Sequence, residues 1–339
     1  MKTDPSWATR LSAAQVLELR AAVAAVRKRG LRAAEFSRAD FALPETAPLL
    51  VQVQDELADG RGFVLLRGLP VDDAEGALCP HVEEDAARLI WGLGLYLGRA
   101  LRQHQRVNVG GYRDDLVAHI VDQGLDYNAP NVHGSATSAE QMPHTDPADV
   151  VGLLCVRPAA SGGTSRIASS MAIHDELARR RPDLLAVLER GYAHDLRGTE
   201  VTPGMPVTPR RIPVFSTFEG KRACIFNSKT VLAAEKKTGV PLTAPEREAM
   251  DALIELALHP DFQIEMNLEP GDLQLLNNHT MLHSRTAWTD PDPARGRLML
   301  RLWLAMPNAR KLAPGIYGGY VSGTHYDVAQ QVNTQQVNA

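Results

Sequence analysis

Two side chains that can bind a metal, His144 and Asp146, stand two positions apart in Met142-Pro-His-Thr-Asp146. On extended chain, residues at that spacing point to one face, so the imidazole and the carboxylate converge. A third candidate, His283, closes the stretch that starts at Glu269-Pro-Gly-Asp272 and continues as Leu-Gln-Leu-Leu-Asn-Asn-His-Thr-Met-Leu-His283. Either signal alone fits a structural histidine. Together, two neutral imidazoles and one carboxylate form the facial triad that holds non-haem Fe(II) and leaves three coordination positions open. A 2-oxo acid chelates through two of these and O2 takes the third. The same three ligands also suit Zn2+ with an activated water, so a zinc-dependent hydrolase is the rival reading.

Two arginines weigh against that rival. In Arg297-Leu-Met-Leu-Arg301-Leu-Trp-Leu304, strand alternation puts Leu298, Leu300, Leu302 and Leu304 on one face. Arg297, Met299, Arg301 and Trp303 share the other face. The leucine face requires a core behind it. In a barrel or jelly roll the opposite face lines a cavity, where forked guanidinium donors match carboxylates. A dicarboxylic co-substrate such as 2-oxoglutarate needs one such cation, and zinc hydrolysis needs none. The chain also lacks an HExxH helix. His279 competes with His283 as the third ligand, because the two sit four apart and would share a face on a helix. The apolar strand before them disfavours a helix there. His104, His119, His133, His174 and His194 show no ligand-like spacing and read as structural.

The elements that must position these groups are legible in outline. Leu11 to Gly30 reads as an amphipathic helix with Ser12 as N-cap, followed by helical stretches over Thr46–Ala58 and His81–Gly98. Between the last two, Gly62-Phe-Val-Leu-Leu-Arg-Gly68 is a short apolar run that suits a buried strand. After Val117 the pattern changes to many short strands: Val117–Val121, Val150–Val156, Arg166–Ser169, Val214–Phe218, Arg222–Phe226, Phe262–Leu268, Asp272–Asn277 and Arg297–Met306. Glu219-Gly220 marks a two-residue hairpin. Two helical inserts interrupt the strands: Ser170–Arg190, broken at Pro182, and a capping box at Thr243-Ala-Pro-Glu246 running to His259. Gly124 to Pro143 has no period and reads as a functional loop. Short strands with turns between them predict a sandwich, jelly roll or barrel, mainly β with flanking helices.

Composition excludes several classes. A net charge of −4 and a pI near 6.3 create no field that favours nucleic acid or an anionic membrane. No stretch of about 18 apolar residues is present to span a bilayer, and Met1 to Gln15 lacks the apolar run of a signal peptide. Cys79, Cys155 and Cys224 form neither a CxxC pair nor an even framework, which predicts reduced thiols in a cytoplasmic protein. A small molecule is then the expected partner, with no nucleic acid and no membrane. The sequence carries no signature of oligomeric state. A jelly-roll binding protein with a relic site is a third, non-enzymatic reading.

The order of motifs resembles the taurine dioxygenase and clavaminate synthase group of 2-oxoglutarate oxygenases, over roughly residues 61 to 306. The resemblance rests on His144-Thr-Asp146, Ser161-Gly-Gly-Thr-Ser-Arg166, Pro270-Gly-Asp272, His283 and Arg297-xxx-Arg301, with 14 residues separating His283 from Arg297. It implies a double-stranded β-helix over 61–322 with helical inserts, a helical segment over 1–60 packed on it, and a polar tail over 323–339. It further implies that His144, Asp146 and His283 hold Fe(II), and that 2-oxoglutarate and O2 are co-substrates. Arg297 would bind the far carboxylate of 2-oxoglutarate. Ser165 falls where such relatives carry a threonine that contacts the co-substrate, and the adjacent Thr164 is its substitute. Arg301 matches a position that holds an anionic group of the prime substrate, suggesting an amino acid derivative or a carboxylic or sulfonic acid. Gln141, Gln103, Asn108 and Tyr112 are further substrate-contact candidates, with Gly124–Pro143 as a lid. Asn277-Asn278 stands where relatives often carry Asp-Asn, which implies a local hydrogen-bonding difference. Retention of the Asp146 carboxylate implies hydroxylation rather than halogenation, since related halogenases put halide in its place.

Overall fold

The computed structural model describes residues 7–71, 82–107, 111–129, 132–196, 206–292, 296–313 and 316, with backbone alone for 104–107 and 111–114. Asn108, Cys79 and the 323–339 tail therefore lie outside the described residues, as does the side chain of Tyr112.

The first three helices are α1 (Ala13–Lys28), α2 (Ala47–Ala58) and α3 (Val82–Leu97). Ser12 caps α1 as a capping box. Its hydroxyl accepts from the Gln15 amide at 3.2 Å, and Gln15 Oε1 accepts from the Ser12 amide at 2.9 Å. The insert Ser170–Arg190 is two helices, α4 (Ser170–Arg180) and α5 (Pro182–Arg190). Arg181 leaves the helical region because the residue before a proline is pushed out of it. The sequence reading did not anticipate α6 (Ser228–Thr238), capped by the Asn227 side chain and stopped by Gly239 in the left-handed region. α7 (Ala244–Leu258) starts on the Thr243–Glu246 capping box.

The strands in chain order are β1 (Ala8–Arg10), β2 (Phe63–Arg67), β3 (Arg99–Leu101), β4 (Gln103–Val107), β5 (Gly111–Asp115) and β6 (Val117–Ile120). Next come β7 (Gln141–His144), β8 (Val150–Arg157), β9 (Ser161–Gly162), β10 (Ser165–Ser169), β11 (Phe215–Phe218) and β12 (Lys221–Cys224). The last are β13 (Gln263–Met266), β14 (Leu273–Asn277), β15 (Met281–Arg285), β16 (Trp288–Thr289) and β17 (Leu298–Ala305). A seven-stranded sheet has the order β1-β2-β14-β8-β17-β3, with β6 also paired to β17, and a four-stranded sheet has the order β13-β10-β15-β7. β11 and β12 form the expected hairpin, with Glu219 and Gly220 both at positive φ as its two-residue turn requires.

Alternation along β17 decides the layering. Leu298, Leu300, Leu302 and Leu304 pack with Leu89, Leu93 and the other buried residues of α1 to α3. Met299 and Trp303 point the other way, into a core shared with Ile167, Ile264 and Met281 of the smaller sheet. Behind that sheet, Ala168 and Leu282 pack against α4, α5 and α7. The two sheets thus face each other between two helical layers, and Arg297 and Arg301 lie in the space between them.

The stretch Gly124–Pro143 is less irregular than its composition predicts. It carries a 3-10 turn at Gly134–Ala136 and enters β7 at Gln141. β7 is an edge strand, which is where a proline such as Pro143 is tolerated. Cys155 and Cys224 are free and buried, and burial pushes both thiols up to about 12. No described helix is long and apolar enough to cross a membrane.

Candidate active site

β7 and β15 are antiparallel neighbours whose register sets His144 directly opposite His283. Opposed residues share a face of the sheet, and the two imidazole centroids stand 4.3 Å apart. Asp146 follows just past the end of β7. Its Oδ1 lies 3.9 Å from His144 Nε2 and its Oδ2 lies 3.8 Å from His283 Nε2. All three ligand atoms fall within 4.8 Å of one another, close enough to share one divalent cation. His144 Nδ1 pairs with Met142 O at 2.8 Å, which leaves Nε2 to face the carboxylate.

The Asp146 carboxylate is held from behind. Its Oδ2 accepts from Trp303 Nε1 at 2.8 Å and from Arg301 Nη1 at 3.3 Å, and its backbone amide donates to Asn278 Oδ1 at 3.0 Å. Arg301 Nε donates to Gln103 Oε1 at 2.7 Å, and Gln103 Nε2 donates back to the Arg301 carbonyl at 2.9 Å. Burial by itself would raise the Asp146 pKa. The charges of Arg301, His283 and His144 and the Trp303 N–H outweigh it and hold the group down to about 2. Burial, reinforced by His144, lowers His283 to about 3 against the pull of Asp146. At neutral pH the pair is a carboxylate beside a neutral imidazole, the protonation states a metal requires.

Two cavities meet at this triad. The smaller is lined by His283, Ser165, Arg285, Arg297, Leu268 and Met299 among others. Arg297 is buried, and among the described residues its guanidinium forms no hydrogen bond and its enclosed Nη1 has no partner. Trp288 lies 4.7 Å from it by the ring centroid. Burial lowers its pKa to about 10, which leaves it charged at neutral pH. A buried, unpaired guanidinium is costly unless an anion meets it. The glycine pair explains how the chain fits beside it: a Cβ on Gly163 would stand 3.2 Å from Arg297 Nε, and the residue has φ +72. Ser165 lines the cavity and donates its hydroxyl to Gln274 Oε1 at 3.1 Å. The Thr164 hydroxyl donates instead to Asn267 Oδ1 at 2.8 Å. The structure therefore brings Ser165, and not Thr164, to the cavity of Arg297.

The larger cavity is bounded by Gln141, His144, Asp146, Trp303, Phe226 and the start of α6. Gln141 lines both cavities. Gln103 and Arg301, expected on the substrate, are bonded to each other, and Arg301 is paired with Asp146. His279 is turned to Asp149, with Nε2 3.0 Å from Oδ1, so it is no part of the triad. Sequence reasoning missed the Trp303 N–H on Asp146, the Asn278 anchor and the whole contribution of α6. The first two had signals, since alternation put Trp303 on the arginine face and Asn278 stood at a noted position.

Comparison with known proteins agrees with this geometry. A family model described as "Taurine catabolism dioxygenase TauD, TfdA family" matches residues 27–303. The chain is similar to FR-33289 synthase of Streptomyces rubellomurinus (strain ATCC 31215), 29% identical over 311 residues that cover 90% of this chain and 87% of that protein. It is also similar to uridine-5'-phosphate dioxygenase of an Amycolatopsis species, 28% identical over 184 residues that cover 52% of this chain and 65% of that one. Among solved structures, asparagine oxygenase in complex with Fe(II), 3-hydroxyasparagine and succinate superposes with a TM-score of 0.67 at 17% identity, covering 88% of this chain and 93% of that one. The fold is thus the double-stranded β-helix of those oxygenases.

Proposed function

This chain belongs to the taurine catabolism dioxygenase (TauD, TfdA) family, and from that premise we propose that it hydroxylates a C–H bond of a small anionic substrate. The reaction converts 2-oxoglutarate and O2 to succinate and CO2, with one oxygen atom going to the substrate and one to succinate. Iron held by His144, Asp146 and His283 would supply the activation of O2. Arg297 binds the far carboxylate of 2-oxoglutarate, and Ser165 contributes a hydroxyl beside it. Trp303 and Arg301, the latter braced by Gln103, orient Asp146 and keep it ionised. The prime substrate enters the larger cavity past Gln141.

The observation that carries this reading is the buried Arg297 guanidinium, which makes no hydrogen bond among the described residues and faces the same cavity as His283. A zinc hydrolase has no use for it. The test is anaerobic titration with Fe(II) and then 2-oxoglutarate, followed by the visible charge-transfer band of the chelate. Arg297→Ala removes one partner of a buried charge pair, worth about 2–5 kcal/mol, so the 2-oxoglutarate requirement should rise at least thirtyfold. An unchanged requirement in that variant, or zinc occupancy with hydrolysis and no succinate, would reject the reading.

A further inference from the structure

The larger cavity has a wall to which the assignments above give no role. α6 begins there, and its start is locked to the metal-binding turn. Asn227 forms an antiparallel bridge with His144, the Thr145 amide donates to Phe226 O at 2.8 Å, and the Phe226 amide donates to Thr145 Oγ1 at 3.1 Å. The Asn227 side chain caps the helix by accepting from the Thr230 amide at 3.2 Å. A helix N-terminus presents open N–H groups and a partial positive charge, though that alone makes no site. Ser228 adds the independent observation. It is only 6% exposed and lines the cavity, yet its hydroxyl forms no hydrogen bond among the described residues. Its hydroxyl opens to the cavity and can donate to a ligand atom there.

Charge in the cavity has the same preference. Lys229 donates to Tyr127 O and Val132 O at 2.6 and 2.9 Å, and its ammonium brings positive charge to the rim. The two carboxylates among the described lining residues are already matched, Asp146 by Arg301 and Asp195 by Lys237 Nζ at 2.6 Å. Arg301 lines the same cavity and adds positive charge to it, with its Nε and Nη1 engaged by Gln103 and Asp146.

We propose that the prime substrate carries a terminal oxyanion, a carboxylate or a phosphoryl group, that docks on Ser228 and the first turn of α6 beside Lys229. This rests on the oxygenase reading and specifies its substrate class. Because Asn227 and His144 are bridge-paired neighbours with Cα atoms about 5 Å apart, the oxidised carbon lies only a few bonds from the anion.

The test uses protein loaded anaerobically with Fe(II) and saturating 2-oxoglutarate, which occupies the Arg297 cavity. Inorganic phosphate, propionate and the neutral propionamide are then titrated in turn by calorimetry. One of the two anions is expected to bind and the amide is not; the anion that binds identifies the oxyanion. Ser228→Ala should weaken that anion at least fivefold. Ser228→Asp suits a helix N-terminus but repels an anion, and should abolish binding while the protein stays folded. No binding by either anion, equal binding of the amide, or an affinity unmoved in both variants overturns the proposal. The charge-transfer band separates this outcome from failure of the oxygenase reading. Absence of the band in the unmodified protein defeats that reading. A band in the unmodified protein and both variants, with anion affinity unmoved, defeats the α6 site alone.

Discussion

Two elements hold Asp146: β17 supplies the donors Trp303 and Arg301 to its carboxylate, and the turn before β15 supplies Asn278 Oδ1, which accepts from its amide. That convergence keeps the carboxylate ionised in a site where burial alone would neutralise it. His283 is the opposite case, a buried imidazole kept neutral down to about pH 3. The consequence for stability has a definite sign. Between pH 6.5 and 3 the unfolded chain binds a proton at His283 that the folded, metal-free protein does not. Stability is therefore fully present above about pH 6.5 and falls as pH drops, by up to about 1.4 kcal/mol per pH unit. Asp146, lowered to about 2 from 3.8, adds a loss of the same sign at more acid pH. Thermal denaturation of metal-free protein should show a steeper acid decline for the unmodified chain than for His283→Gln. Parallel curves would show that His283 does not carry the term.

Among the elements, the junction of β9 and β10 binds the Arg297 cavity to the sheet. Gly162 and Gly163 both have positive φ, and a Cβ on Gly162 would stand 2.1 Å from Ala287 O. Gly163 is the milder case, so Gly163→Ala is the informative variant. Left-handed strain costs about 1–2 kcal/mol, and the new methyl presses on Arg297 Nε. The expected result is that much destabilisation in urea and a weaker 2-oxoglutarate titration, with Fe(II) affinity held. A loss of iron affinity equal to the loss of 2-oxoglutarate would mean the junction acts on the whole site. Elements were unequally legible in the sequence. The capped helices α1 and α7 and the hairpin β11–β12 carry local signals and form where expected. β7 and β15, which present the two histidines, were not anticipated, because each is short and its strand character comes from pairing with the other and, for β15, with β10. α6 did carry a cap and a stop in Asn227 and Gly239, which went unread between stronger patterns.

At the scale of the molecule, β17 joins the two halves, with one face in the helical core and the other toward the candidate active site. Leu300 is fully buried between β17 and the N-terminal helices. Leu300→Ala should cost about 2–5 kcal/mol by cavity formation, read by chemical denaturation, while the folded variant still develops the charge-transfer band. Loss of the band at full stability would mean that β17 places its arginines with no margin. From the sequence alone came the residue types, their spacing and the face on which each β17 side chain stands, because these follow from local chemistry and the period of a strand. That is why the grouping of His144, Asp146 and His283, the inward face of Arg297 and the mainly β class could be read before any coordinates. Tertiary structure alone decided which groups touch. It gave Arg301 to Asp146, selected Ser165 over Thr164, sent His279 to Asp149, and set α6 against the metal turn. Contacts of that kind join residues up to 155 positions apart, and no local period or motif encodes which distant donor will reach a given acceptor first.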